Sequence, residues 1–344
     1  MASKKNKATP VKQRNENNKT AKGSESLHLK WVFLAGVLLA LAGIAWWILQ
    51  GQGNPNSQKI LANGNADTCK QQPQFMQGVN LGSAPALASS YENIKGMVVI
   101  DTQAPHDTTR RYQHPSWTIG GYLGSITRDS LGNVYVVPSP LVSLYENPPE
   151  KQNIIYKVDT RTAEMKAWIN LPSVSLPSTQ NPYGALGLFF DCDTNTLYAS
   201  SVSGSSLERE SGTIFQINTV SGEVIGRLDH IDAIGVAVVN WQNQKTLVMG
   251  SARESLVLGV PLDEKGNFAG GIRVITRLNF NDSSSLHRIR RISIDETGLV
   301  TLQVSVFAYN LMSPRNSERG VYTYQIGEQV WDWSFVNFAP PQGQ

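Results

Sequence analysis

Two hydrophobic textures divide the chain. Residues 31–49 form an unbroken apolar run with no charge, and at ~1.5 Å rise per helical residue about nineteen residues cross a ~30 Å hydrocarbon core. Lys30 flanks the run on one side and Trp46, Trp47 and Gln50 on the other, where interfacial anchors belong. From about Phe75 onward the pattern changes to short apolar runs rich in Val, Ile, Tyr and Thr, broken by Gly, Asn, Asp and Pro. That punctuation predicts strands.

Stacking these runs reveals a repeat. An apolar run, an acidic or polar turn and a second run occur at residues 125–137, 188–200, 236–249 and 292–302. Third strands follow at 154–160, 213–219, 256–260 and 320–326, and fourth strands at 166–171, 223–228, 272–278 and 330–338. Four strands per unit of roughly 45–65 residues predict propeller blades. A two-faced sheet buries both faces only by packing radially against others like it. Residues 96–101 read as the third strand of an incomplete first blade, which a strand from elsewhere, such as 331–338, would complete. The expected fold is all-β, a β-propeller of five to six four-stranded blades at residues 75–344, preceded by a single transmembrane helix at 30–50. A sixth, degenerate unit would fall in residues 73–95.

Charge then sets the orientation. Residues 1–29 are Lys, Asn, Gln, Ser and Thr with almost no large apolar side chain, too little to offset ordering entropy, and read as a disordered tail. Lys4, Lys5, Lys7, Lys12, Arg14, Lys19, Lys22 and Lys30 face only Glu16 and Glu25, so this segment is strongly basic and the rest of the chain, against a formal +3 overall, is slightly acidic. The positive-inside rule places this tail in the cytoplasm and the carboxyl-terminal domain in the periplasm or outside the cell. A cleaved signal peptide would carry a shorter apolar region and a small-x-small site; Gln50-Gly-Gln-Gly-Asn-Pro-Asn has none, so an uncleaved signal anchor is expected. Residues 51–74, rich in Gly, Asn and Gln, read as a linker. The near-neutral domain lacks the basic surplus for nucleic acid. The expected partners are the membrane, through one helix, and a protein or cell-envelope component. Cys69 and Cys192 both follow the apolar run, in a compartment where disulfides persist. A Cys69–Cys192 bridge is expected, with two buried thiols as the alternative.

The stretch Asn181-Pro-Tyr-Gly-Ala-Leu-Gly-Leu-Phe-Phe-Asp-Cys-Asp-Thr-Asn-Thr-Leu-Tyr-Ala-Ser resembles the blade core of six-bladed propellers of the gluconolactonase and strictosidine-synthase superfamily. Thr219-Val-Ser-Gly-Glu-Val resembles the third-to-fourth strand turn of quinoprotein-like and YVTN-type propellers. The resemblance covers about residues 95–338 as blade texture, and fold alone does not carry function. It implies, for lactonase-like members, a divalent cation in the axial funnel held by an Asn and acidic residues. The matching openings hold Asn181 and Asp232, each with two residues inserted before the Gly, and the first blade has no matching glutamate. The last blade offers His287, Arg288 and Arg290 there, whose charge would repel a metal. No cofactor is expected, with one divalent cation such as calcium as the alternative.

The cluster Leu286-His287-Arg288-Ile-Arg290-Arg291 is the densest basic stretch outside the tail. Strand alternation would put Arg288 and Arg290 on one face, a grip for a carboxylate, phosphate or acidic glycan. The plainer reading is strand ends paired with neighbouring carboxylates or exposed to solvent. Asp191-Cys-Asp193-Thr-Asn195 reads as a turn, since a calcium loop needs Gly and Glu where Thr196 and Val202 stand. No zinc, nucleophile-elbow, dinucleotide or P-loop motif is present, and no catalytic residue is assigned. Asn281-Asp-Ser283 is a glycosylation sequon. The expected function is a membrane-anchored extracytoplasmic binding or scaffold module, presenting loops 138–153, 201–211 and 309–319 on one face. The alternative is a lactonase-like metal-dependent hydrolase with its site in the funnel. Converging carboxylates at the axis would favour the enzyme, and a plugged or Arg-lined channel the binding module.

Overall fold

The computed structural model describes residues 61–340, apart from 83, 90–93, 174, 279–286 and 312–318. The tail 1–29, the apolar run at 30–50 and the sequon Asn281 lie outside the described residues. Among those residues no helix is long and apolar enough to cross a membrane.

The chain folds as a five-bladed β-propeller. It opens with β1 (Gly64–Asn65), and the first blade is β2 (Pro85–Ser89), β3 (Met97–Asp101) and β4 (Arg111–Tyr112). The second is β5 (Leu123–Arg128), β6 (Val134–Pro138), β7 (Ile154–Val158) and β8 (Met165–Asn170). The third is β9 (Ala185–Asp191), β10 (Thr196–Ser201), β11 (Thr213–Asn218) and β12 (Val224–Asp229). The fourth is β13 (Ala233–Trp241), β14 (Gln244–Ser251), β15 (Leu256–Leu262) and β16 (Arg273–Arg277), and the fifth β17 (His287–Ile294), β18 (Leu299–Val306), β19 (Arg319–Ile326) and β20 (Trp333–Ala339). Each blade is an antiparallel meander, and the strands β2, β5, β9, β13 and β17 pack one against the next.

Burial explains the texture of the sequence. β6, β10 and β13 are buried along their whole length, because neighbouring blades cover both faces. They therefore read as continuous apolar runs rather than alternating ones. The outer β12 alternates between half-buried and exposed positions, and β16 is largely exposed.

Two details of the expected fold change. The carboxyl-terminal β20 pairs with β19 in the fifth blade, so this strand does not complete the first blade, which has three strands among the described residues. β3 is the middle strand of that blade, not its third. The strand beside it, β2, is Pro-Ala-Leu-Ala-Ser and only half-buried, so its small side chains leave little strand signal. Among the described residues no sixth blade forms: those of 73–95 supply a 3-10 turn at Gln74–Gly78 and β2.

Of the expected linker, residues 51–60 lie outside the described residues, and residues 61–74 form a strap across the turns of successive blades. Gly64 and Asn65 pair with Asn240 and Val239. The Ala66 N–H donates to the Val238 carbonyl, and the Cys192 N–H donates to the Ala66 carbonyl. Further along, Gln71 N–H donates to Asp129 O and Phe75 N–H to Thr160 O. The expected Cys69–Cys192 disulfide is present, with Cα atoms 5.6 Å apart. Beside it the Asp191–Asp193 turn is closed by its own Asx bonds and by buried Lys245, whose Nζ lies 2.8 Å from Asp191 and 2.7 Å from Asp193.

Candidate functional site

In an antiparallel meander the second-to-third strand loops and the connections to the next blade emerge at the same end. Here the loops β10–β11 and β18–β19 meet the β8–β9 connection around a cavity of about 680 Å³ lined by Asn181, Ser205, Leu207, Arg209, Tyr309 and Asn310.

Asp232 stands just before β13 and is fully buried. Its carboxylate accepts from the Tyr309 hydroxyl at 2.6 Å, the Gly212 N–H at 2.9 Å, the Ser205 hydroxyl and Arg253 Nη1 at 3.2 Å. These donors come from loops of the third, fourth and fifth blades. Burial, then the hydrogen bond to Asp232, pushes the Tyr309 phenol far above its ordinary range. Asn181 is also buried. Its Nδ2 donates to the carbonyls of Val202 (2.9 Å) and Ser205 (2.8 Å), and its Oδ1 accepts from the Tyr183 N–H at 3.2 Å. The two residues matched to metal ligands are thus joined through Ser205, but as a hydrogen-bonded clamp. A cation at Asp232 would have to displace donors already in place. Among the described residues no group of three or more His, Cys, Asp or Glu is placed to hold a metal.

The basic trio is not one grip. His287 is buried with Nδ1 3.3 Å from the Tyr322 hydroxyl and its ring against Phe338. Arg288 is buried and donates to the carbonyls of Ala252, Arg253 and His287 and to the Ser255 hydroxyl. It staples the β14–β15 turn to β17, and burial pushes its pKa down. Arg290 points elsewhere because the β17–β18 register slips between Ile289 and Arg291, a bulge that breaks simple alternation. Its Nε donates to Ser305 Oγ at 2.8 Å and its guanidinium lies 5.3 Å from the centre of the Phe307 ring.

Sequence reasoning missed the residues that fill the centre of this end. Tyr183, Val202, Ile234, Ala252, Phe307 and Tyr309 form one apolar cluster drawn from the third, fourth and fifth blades. Tyr183 and Phe307 ring centres are 4.9 Å apart, and Phe307 and Tyr309 5.2 Å. The only local signal was Tyr183 itself, inside the Asn181-Pro-Tyr-Gly184 opening. Register slips at the same stage of β5, β9, β13 and β17 re-aim the neighbouring side chains and leave no mark in composition.

Comparison with known protein families finds no match, and comparison with curated proteins finds none. Solved structures share the fold alone. A quinoprotein alcohol dehydrogenase-like protein from Bacteroides thetaiotaomicron is 9% identical, over 76% of this chain and 55% of that one, with a TM-score of 0.40. A putative 6-phosphogluconolactonase from Bacteroides uniformis is 10% identical over 74% of this chain and 82% of the other, with a TM-score of 0.39. The Bacteroides ovatus xyloglucan PUL protein GH43B is 13% identical, with a TM-score of 0.37; the match covers 68% of this chain but only 43% of that protein.

Proposed function

We propose that this propeller is a binding module that engages a protein or cell-envelope component through the loop end described above, held to a membrane by residues 30–50. The observation that carries the reading is the placement of exposed apolar side chains. Tyr145, Leu176 and Leu207 are 91%, 69% and 77% exposed, and they lie on the β6–β7, β8–β9 and β10–β11 connections, which share that end. Large apolar groups held in water on neighbouring loops suit a partner surface. The same end supports this reading: one buried carboxylate there is saturated by donors, and the cluster beside it is apolar, with Arg290 against the Phe307 ring. The test is crosslinking in native membranes followed by identification of captured chains, comparing the natural protein with a Tyr145→Ser, Leu176→Ser, Leu207→Ser variant. Loss of one defined partner in the variant is expected. Unchanged capture, or stoichiometric calcium with lactone hydrolysis in purified protein, overturns the proposal.

A further inference from the structure

Arg290 has the ingredients of an anion site that the fold does not itself use up. It makes no ion pair among the described residues; Nε is committed to Ser305, while Nη2 reaches the Val306 carbonyl only at 3.4 Å. Tyr183, 1% exposed, carries a buried hydroxyl with no hydrogen-bond partner among the described residues. Both pack on one ring: Tyr183 lies 4.9 Å from Phe307 and the Arg290 guanidinium 5.3 Å from it. Their closeness also shows electrostatically, since burial lifts the Tyr183 phenol to about 12 while the charge of Arg290 pulls it the other way. A buried hydroxyl left unsatisfied destabilises the fold, so a ligand that accepts from it gains what the fold forgoes.

We propose that Arg290 and Tyr183 bind the carboxylate of a small organic acid, whose carbon chain lies against Phe307, Ile234 and Leu186. One guanidinium with its Nη edge open supplies one positive charge and a planar pair of donors, which matches a carboxylate; the Tyr183 hydroxyl supplies a third. A second cation, Arg319, pairs across from Ser305 and its charge reaches Arg290, so the apolar surroundings rather than the charge count set a carboxylate with a carbon chain apart from phosphate. The flanking side chains are apolar and belong to the cluster that includes Tyr183 and Phe307. The cavity of about 680 Å³ adjoins this cluster through Tyr309, through Ala308 next to Phe307, and through Asn181, whose Oδ1 accepts from the Tyr183 N–H. This site goes beyond the loop-end reading, and the two fail separately, because neither experiment uses the other's variants.

The test is calorimetric titration of the full chain with hexanoate, its neutral counterpart hexanamide, and inorganic phosphate. Hexanoate is expected to bind at least about tenfold more tightly than the other two, because hexanamide lacks the charge that the guanidinium pairs with and phosphate lacks the carbon chain that the apolar cluster covers. Arg290→Gln is expected to weaken hexanoate at least about tenfold, and Tyr183→Phe about threefold or more. Without ligand, Tyr183→Phe should melt no lower than the natural protein, since it removes only an unpaired hydroxyl. If Arg290→Gln does not fold, Arg290→Lys and Tyr183→Phe decide the matter, the former keeping the charge but losing the planar fork. Absence of hexanoate binding, equal binding of hexanamide, or undiminished binding by the variants overturns the proposal.

Discussion

Asp232 receives donors from three blades at once, and its weight in the molecule lies in what its loss would strand. Asp232→Ala would leave Arg253, the Tyr309 hydroxyl, the Ser205 hydroxyl and the Gly212 N–H without their shared acceptor. Breaking such a buried pair costs about 3–5 kcal/mol, to be read as a lower denaturation midpoint with an unchanged slope. Tyr309→Phe, which removes one donor, should cost about 1 kcal/mol. Exposed turn carboxylates act in the opposite way, through protons. The Thr162 N–H on Asp159 and the Thr297 hydroxyl on Asp295 hold those carboxyls below their ordinary 3.8. A depressed folded pKa means that their contribution is present above 3.8 and lost as pH falls below it. Asp159→Asn and Asp295→Asn should therefore flatten the acid limb of a melting-temperature profile.

Among the elements, the strap shows how far composition can mislead. Its Gly, Asn and Gln residues are those of a flexible tether, yet backbone pairing to β13 and the disulfide fix it against the blades. Gly64 has φ +101°, and a Cβ there would lie 2.9 Å from the Asp295 carbonyl carbon, so glycine is required by both conformation and space. Gly64→Ala should lower the melting temperature while leaving the strand signal in circular dichroism intact. Cys69 and Cys192 are 123 residues apart, and replacing both by Ser should cost about 2–5 kcal/mol, the same loss appearing in the natural protein under reductant. The blades themselves were legible: runs such as Val134–Pro138 declare a strand covered on both faces. β2 was not, because Ala, Ser and Pro bury too little for the pattern to register.

On the scale of the whole molecule, tyrosines buried in three different blades make phenol ionisation a report on global unfolding. Burial foremost pushes the phenols of Tyr135, Tyr198 and Tyr309, in the second, third and fifth blades, far above their ordinary 10.0. Their raised folded pKa gives a contribution that is full below pH 10.0 and lost as pH rises above it. Tyrosinate absorbance from these residues should therefore appear together with loss of sheet structure, not before it; absorbance rising while the sheets persist would refute their burial. Sequence alone determined the all-β propeller and most of its strands, and it limited any disulfide to one pairing, because runs of apolar residues, Asx turns and cysteine count are local quantities; that the bridge forms was the structure's to decide. Tertiary structure alone decided that Asn181 and Asp232 serve as hydrogen-bonding clamps, that Arg288 and Arg290 part company at a bulge, and that residues 61–74 lie as a strap. Each of those outcomes depends on which distant donor, ring or carbonyl the packing brings within about 3–5 Å, and no spacing along one segment encodes that neighbour.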